Sequence, residues 1–502
     1  MKKNKILSLI LASTMIMSTL TGCGNGDSKE SGTSQEHSNS VNESSSVNDS
    51  SAANESSSAD SSSTEGPSGG EESGSIRLGI WPEDTETEAI ATHTNYYVPA
   101  FNEKHPGVEA IPAYYRYAPD TYLAMAQAGN APTVFESWYT EPEKLIRNGL
   151  VKDITDILNE RGWADSMSPA IRDLLSDSNG RIYGVPRDAY SLGLMINIKL
   201  FTDAGLVNDD GSVKYPTTWE EVYEDSKIIR EKTGQAGFCM QASDAGGGWH
   251  WSNIAWNYGA NLCIANADGT YTSNLNTPEA AEAMEWVRKM IIDKCVTDDP
   301  TQENWGTGFD RIGTNTAAMY IAAQDAVDQP SYRGMNPDEF FLAPMPAGPG
   351  GHYTLMGGTP YFFSPDATDD EIRWALDYLE IMGKSPEVTD AARDGWIADA
   401  EYRIEKGIPV IPTFPAWVGA VVDEQNKVVA EHSNVDMNLW QAYYDFSEEE
   451  GALRTEEPGD TQAMYRLLND VLQAIIADPN GVDIVAELEA ANEAYQAILD
   501  AM

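Results

Sequence analysis

The segment "IRLGIW", Ile76 to Trp81, decides how the folded part of this chain is read. Ile76, Leu78 and Ile80 alternate with Arg77 and Gly79, the two-residue period of a strand with one buried face. A helical stretch through "VPAFNEKHPG" (98–107) follows and stops at Pro106-Gly107. "VEAIPAYY" (108–115) predicts a second strand, and "DTYLAMAQAGNAP" (120–132) a short helix ended by Gly129-Asn130. "TVFES" (133–137) predicts a third strand, and "TEPEKLIRNGL" (140–150) a helix with Pro142 in its first turn. Strand, helix, strand, helix is the pattern of α/β layers around a mostly parallel sheet.

Further helices announce their starts. Thr218 and Glu221 stand in capping-box spacing before "WEEVYEDSKIIREKTG", and Thr368 and Glu371 repeat it before "IRWALDYLEIMG". In the latter, Ile372, Ala375, Leu376 and Leu379 form one apolar stripe. Thr277-Pro278 opens another helix, and "DIVAELEAANEAYQAIL" (483–499) is amphipathic. "NADGT" (266–270) predicts a hairpin turn and lacks the ligand series of a calcium-binding loop. No fixed-period repeat is visible.

Upstream of Ile76 the chain is of a different kind. "MKKNK" is a positive leader, and "ILSLILASTMIMSTL" an apolar core too short and too early for an ordinary membrane span. "LTGC", Leu20 to Cys23, then resembles a bacterial lipoprotein signal, which implies a signal peptide over 1–22 and a diacylated N-terminal Cys23. Residues 28–75 hold Ser, Asn, Glu, Asp and Gly with no aromatic residue, too little apolar surface to offset ordering entropy. Residues 23–75 are therefore expected to be a lipid-anchored, disordered tether, a spacer on the outer face of a Gram-positive cell membrane.

The net charge of −47 argues against nucleic acid, whose phosphates call for clustered Lys and Arg. Cys239, Cys263 and Cys295 show no Cys-x-x-Cys or Cys/His ligand spacing, so neither zinc nor a disulfide framework is expected, and buried thiols are. Gly383-Lys384-Ser385 has the tail of a phosphate-binding loop, but Tyr378 occupies the required glycine position and the segment ends a helix instead of opening one. No sequence motif supplies a nucleophile, a metal set or a placed carboxylate pair, so no enzyme and no cofactor are expected.

Several stretches together carry a resemblance. They include "FNEKHPGVEA", "YLAMAQAGNAPTVFES", "NGRIYGVPRDAYSLGLMINIKLFTDAGL", "YPTTWEEVYEDSKII", "AWNYGAN", "NTAAMYI" and "APMPAGPGGHYTLMGGTPYFFS". In this order, over 76–382, the chain resembles the extracellular solute-binding protein family 1, lipoproteins that hand sugars to ATP-binding-cassette importers. The resemblance implies two α/β lobes that close on a ligand like a clamp. Lobe one is expected at 76–187 and 361–392, and lobe two at 190–357 and 395–502. Crossovers fall near Pro186–Tyr190, Gly357–Tyr361 and Ala391–Gly395.

The same resemblance assigns candidate ligand contacts. Trp249 and His250 precede the helix "WSNIAWNYGAN" on a Gly-rich approach, so that Trp249 lies under a sugar face while Trp256 is core. Trp81, Glu83 and Asp84 follow the first strand, and Ser137, Trp138 and Tyr139 the third, at the sheet edge where α/β crevices bind ligands. Asp188 and Tyr190 stand at the first crossover, Gly358 and Tyr361 at the second, and Arg187 is set to form a hinge salt bridge. Asp325 replaces a ring common in the family, and Trp417 is placed to cap the far end. The expected function is capture of a carbohydrate, an oligosaccharide, by a monomeric protein that serves a membrane permease. The alternatives are another solute such as a polyamine, a glycan-active enzyme, or a surface sensor or adhesin.

Overall fold

The computed structural model describes residues 73–502; Cys23, the leader and nearly all of the tether lie outside the described residues. The eleven strands described are β1 (Gly74–Leu78), β2 (Val108–Pro112), β3 (Val134–Glu136), β4 (Gly184–Asn197), β5 (Ala236–Cys239), β6 (Cys263–Ala265), β7 (Tyr271–Ser273), β8 (Ala317–Ala323), β9 (Phe340–Ala343), β10 (Thr354–Phe363) and β11 (Leu453–Arg454). One sheet runs β2-β1-β3-β10-β4-β8-β5, with β9 also on β4 and β11 on β10. The parallel pairs β1–β2, β1–β3 and β5–β8 lie toward its ends, the short β11 runs parallel to β10, and β3–β10, β10–β4, β4–β8 and β4–β9 are antiparallel. The sheet is thus mixed instead of mostly parallel, because the chain crosses its middle twice in opposite directions.

Those two crossings are β4 and β10. At 14 residues, β4 spans about 45 Å, too long for a single layer of core. Ala189 packs in one hydrophobic cluster with Ile76, Leu78, Phe135, Phe362 and Leu376. Leu192 packs in another with Met319, Trp256, Trp440 and Leu468. On β10 the same change falls between Leu355, in the second cluster, and Met356, in the first. The two strands switch lobes side by side: Gly357 is paired with Tyr190, Gly358 with Ala189, and Thr359 with Asp188. The register shifts between Thr359 and Pro360. The two crossover segments expected from the sequence are cross-strand neighbours, and together they join the two lobes at the position expected of a hinge.

Local chemistry explains the flanking helices. Thr368 and Glu371 form a reciprocal capping box. Thr218 receives the Glu221 N–H, but the Glu221 carboxylate turns to Thr217 instead (2.7 Å to both its N and Oγ1). Cys263–Ala265 and Tyr271–Ser273 pair across the "NADGT" turn. Cys239, Cys263 and Cys295 are free and buried.

Four expectations change. Gly74 and Ser75 already pair with Val108 and Glu109, so the strand starts before the tether was expected to end. β2 stops at Pro112, leaving Tyr114 and Tyr115 beyond it. The Asp390–Lys406 helix runs unbroken through Ala391–Gly395, so no crossover lies there. Residues 395–502 are not all lobe two: Ala416, Trp417 and Val421 belong to the lobe-one core, whereas Ile411 and Trp440 belong to lobe two. The Asp390–Lys406 and Ala420–His432 helices bury a small cluster of their own, Ala400, Val410 and Val428, and the chain passes between lobes on either side of it.

Candidate functional site

The hinge is fastened by its own polar groups. Asp188 Oδ1 accepts the N–H of Thr359 on the facing strand (2.9 Å), and Oδ2 accepts Arg187 Nε (2.7 Å). Arg187 Nη1 reaches on to Glu136 at the end of β3 (2.7 Å), which makes Arg187 the hinge ion pair expected from sequence. Tyr139 donates its hydroxyl to the Asp188 carbonyl (3.1 Å) and its N–H to the Gly358 carbonyl (3.3 Å). Gly358 has φ +152°, and a Cβ there would lie 2.6 Å from both the Asp188 carbonyl oxygen and Tyr139 Cε2. Glycine is needed for hinge packing at this position.

Beside this ladder lies Tyr190. A Cβ on its partner Gly357 would come within 2.4 Å of its Cζ and hydroxyl, so the ring lies across that glycine. The ring is half-buried, and no described residue hydrogen-bonds its hydroxyl. Glu456, Asp325 and Asp188 all act electrostatically on it. Asp325 sits on the single turn Gln324–Ala326 at the end of β8. That turn is fixed by Gln324, whose Oε1 accepts from Ser191 N (3.3 Å) and the Tyr443 hydroxyl (3.0 Å), and whose Nε2 donates to the Ala189 carbonyl (3.3 Å).

Three charged groups around the hinge share one property: each reaches solvent and yet has lost hydration. Burial pushes the exposed Asp325 carboxyl up to about 8; Asp188 adds to the shift and Arg187 opposes it. Burial likewise raises Glu456 to about 7, against the hydrogen bond from the Tyr465 hydroxyl. Lys384 is pulled down by burial and by Arg187, while Asp188, Glu136 and Asp399 hold it up. Among the described residues no carboxylate lies within ion-pair distance (4.0 Å) of Lys384, and no side chain pairs with Asp325.

The helix that carries Trp249 is Asp244–Tyr258, so the three glycines and both candidate residues lie inside it and not on an approach. Gly248 is small because the Tyr465 backbone packs against it: a Cβ there would meet the Tyr465 carbonyl oxygen at 2.1 Å. Further along, Asn257 bonds both N and O of Tyr353 (2.8 and 2.9 Å), and Asn253 Oδ1 accepts Leu355 N–H (3.0 Å). Four helical residues advance about 6 Å, as do two strand residues. The turn before Asn253 carries Trp249, so the helix leads from Asn253 to Trp249 along β10 in the direction of Gly357. Trp249 is half-buried, with one side against Trp305 (centroids 5.4 Å, 64°).

His250 is a correction. It is 4% exposed, is pushed down to about 3 by burial, and rests against Tyr320 at 5.3 Å, with neither ring nitrogen hydrogen-bonded. It lines an apolar void of about 10 Å³ inside the lobe-two core with Trp251, Ile254 and Leu472. Trp251 and Trp256 are fully buried. Trp417 is a second correction: it packs edge-on against Trp163 (6.0 Å, 76°) in the lobe-one core. Tyr139, Tyr361 and Ser137 are also buried, and Tyr139 and Gly358 are committed to the hinge. Trp81 and Trp138 remain half-buried, packed on His93 (5.0 Å) and Tyr117 (5.4 Å), and Glu83 and Asp84 are exposed. Asp188, Tyr190 and Asp325 thus lie around the hinge, and Trp249 lies on the helix whose Asn253 and Asn257 are bonded to β10. Glu136, Lys384 and Glu456 were not anticipated. Glu136 ends a strand at the expected edge, Lys384 lies in the rejected phosphate-loop tail, and Glu456 has no signal in its sequence surroundings.

Among the described residues no helix is long and apolar enough to cross a membrane, and no group of three or more His, Cys, Asp or Glu is placed to hold a metal ion. The profile of the bacterial extracellular solute-binding proteins matches residues 85–382. No curated protein sequence matches the chain. Among solved structures, the GacH receptor of Streptomyces glaucescens GLA.O, known unliganded and with acarbose, is similar at TM-score 0.63 and 16% identity, over 86% of this chain and 99% of that one. A Listeria monocytogenes ABC substrate-binding protein in complex with cycloalternan gives 0.63 and 15%, over 86% and 100%. UgpB from Mycobacterium tuberculosis, in complex with glycerophosphocholine, gives 0.61 and 15%, over 86% and 99%. At such identities the likeness fixes the two-lobed fold and leaves the ligand to the chemistry of the cleft.

Proposed function

This chain belongs to the bacterial extracellular solute-binding proteins, and we propose that it captures a carbohydrate, an oligosaccharide, between its lobes and delivers it to an ATP-binding-cassette importer. The observation that carries the reading is the half-buried Tyr190 ring lying across Gly357 at the hinge, with Glu456, Asp325 and Asp188 acting on it, while a second half-buried ring, Trp249, stands on the helix bonded to the same strand. A pyranose has an apolar C–H face and a rim of hydroxyls. Aromatic rings bury the face, and carboxyl groups take the rim. Structural neighbours in complex with acarbose and cycloalternan are in keeping with it.

The hinge supplies the mechanism of capture. β4 and β10 are continuous through both lobes, so closure bends one paired ladder instead of opening a linker. A ligand that touches Tyr190 and the lobe-two groups on one side and lobe one on the other favours the closed population by its differential contacts. We further propose that Cys23 carries the lipid anchor, that the tether holds a monomeric body at the outer face of the membrane, and that a permease receives the ligand.

A thermal-shift screen against a glycan panel tests the reading. A cognate sugar at about 100 times its dissociation constant adds about 2.7 kcal/mol. A panel of neutral, acetylated, amino and acidic saccharides that leaves the melting temperature unchanged, with a polyamine raising it, would replace the sugar by the amine. Cys23→Ala is expected to release the protein into the medium; retention on the membrane would refute the anchor.

A further inference from the structure

We propose that the cleft selects a saccharide bearing a free amino group, with Asp325 as the carboxylate that receives the ammonium and the Tyr190 ring beside it. This rests on the reading of the hinge cleft as a carbohydrate site and specifies the ligand that site takes.

The charges at the hinge are unequal. Arg187 is the strongest fixed cation there, and it is already engaged by two carboxylates, Asp188 and Glu136, each at 2.7 Å. It is therefore not available to a ligand anion or as a direct counter-ion for Asp325. Asp188 in turn has both oxygens occupied, by Thr359 N and Arg187. Glu456 is held by the Tyr465 hydroxyl, with Glu457 next to it. Asp325 is the carboxylate left without a partner side chain among the described residues, and the charges acting on it are Asp188, Arg187 and Asp328. Its backbone is not free to turn away, because Gln324 is tied to both hinge strands through Ser191 and Ala189 and to Tyr443. Leu192 pairs with Ala323 and Ser191 N bonds Gln324, so the register brings Asp325, on its fixed turn, level with Tyr190 and its half-buried ring.

Desolvation holds the Asp325 carboxyl protonated up to about 8 in the ligand-free protein, and a neutral hydroxyl would leave it so. An ammonium donates up to three hydrogen bonds, brings the missing charge, and is attracted by the face of a tyrosine ring. Lys384 is the competing anchor, for an acidic sugar. Asp188, Glu136 and Asp399 act on it electrostatically without pairing with it, and an anionic ligand would have to enter against their field. The upward shift of the Asp325 carboxyl to about 8 agrees with a site waiting for a cation.

The test is calorimetric titration of the full-length ectodomain with glucosamine oligomers, their N-acetylated counterparts, neutral and uronate-bearing oligosaccharides of the same length, and spermidine. The amine-bearing oligomer is expected to bind at least tenfold tighter than its acetylated counterpart. Asp325→Asn is expected to collapse that ratio, and Asp325→Glu to preserve it. Reading a ratio separates recognition from any general loss of binding, and the circular dichroism of each variant reports folding. If acetylated, neutral or acidic saccharides bind as tightly as the amine, the selectivity is overturned while the carbohydrate reading stands. A ratio unchanged in Asp325→Asn overturns the role of Asp325. Spermidine binding with no saccharide binding, or no binding at all, overturns the carbohydrate reading and this inference with it.

Discussion

Asp188 and Thr359 join the two hinge strands through a side chain: the carboxylate Oδ1 accepts the Thr359 N–H at 2.9 Å, at the residue pair just before the ladder changes register. Because the other oxygen holds Arg187, this aspartate is a structural member of the hinge before any ligand arrives. We predict that Asp188→Ala costs about 1–3 kcal/mol of stability in the ligand-free protein, the range for stranding a buried donor and an arginine partner. Urea denaturation without ligand measures it. Unchanged stability with weakened glycan binding would instead make Asp188 a ligand contact.

Gly358→Ala tests the same ladder from the other strand. The substituted residue would sit at φ +152° with its Cβ 2.6 Å from the Asp188 carbonyl oxygen and from Tyr139 Cε2. Backbone strain of about 1–3 kcal/mol adds to the clash, and Tyr139 is 2% exposed, without room to retreat. The expected outcome is a clearly lowered melting temperature in the absence of ligand. A variant as stable as the parent would show that the ladder opens freely here.

Much of this was legible in the sequence, for reasons that differ by residue. Local period and capping chemistry gave the helices, since Thr368 with Glu371 or Thr277 with Pro278 needs nothing beyond its own turn. Crossover segments at 186–190 and 357–361 were readable, but their pairing was not, because register across 170 residues is set by tertiary packing. The glycines before Trp249 read as a loop, since three in a row disfavour helix by about 1 kcal/mol each. In the fold they are helical because larger residues would strike Gln241, Asn469 and the Tyr465 backbone. Trp417 and His250 failed as ligand residues for a related reason: sequence shows that an aromatic residue is present, not which side of a wall it faces.

Trp256 shows the opposite case, an aromatic residue whose role is packing. Its ring is fully buried, Nε1 donates to Glu457 (2.7 Å), and Arg454 lies over the face at 4.6 Å. Trp256→Ala is expected to cost about 3–5 kcal/mol, by chemical denaturation, with little effect on affinity in the fraction that stays folded. Because Glu457 also receives Leu262 N and Cys263 N (3.3 Å each), Trp256→Phe is expected to cost less, keeping the packing and losing only the Nε1 bond.

The raised carboxyls give a pH signature with a definite sign. An unfolded aspartate titrates near 3.9, and Asp325 in the fold titrates at about 8. Between these values the native state holds the extra proton, so this group's contribution to stability declines as pH rises through that window and levels off above 8. Glu456, raised to about 7, acts in the same direction over a window that closes near 7. Asp325→Asn has no such titration. Its melting temperature relative to the parent is expected to rise steadily from pH 4 to pH 8 without ligand. A flat difference across that range would show that Asp325 is not desolvated.

The last prediction concerns Trp249, the half-buried ring proposed to lie under a sugar face. One side of the indole is committed to Trp305 at 5.4 Å, and the residue is half-buried, so only part of its apolar surface is open to a sugar. Covering a whole large side chain contributes about 1.5–3 kcal/mol, and the open part accordingly about 1–2 kcal/mol. At 1.4 kcal/mol per tenfold, Trp249→Ala should weaken glycan binding by about 5- to 30-fold. The variant also leaves Trp305 with one face uncovered, so a modest loss of stability is expected beside the loss of affinity. Trp305→Ala separates the two effects, because it removes the support and leaves the ring: its stability should fall by at least as much, and its affinity by less. Calorimetric titration and denaturation of both variants decide between the roles. Normal binding by Trp249→Ala, with its whole defect in stability, would move Trp249 from the ligand site into the wall behind it.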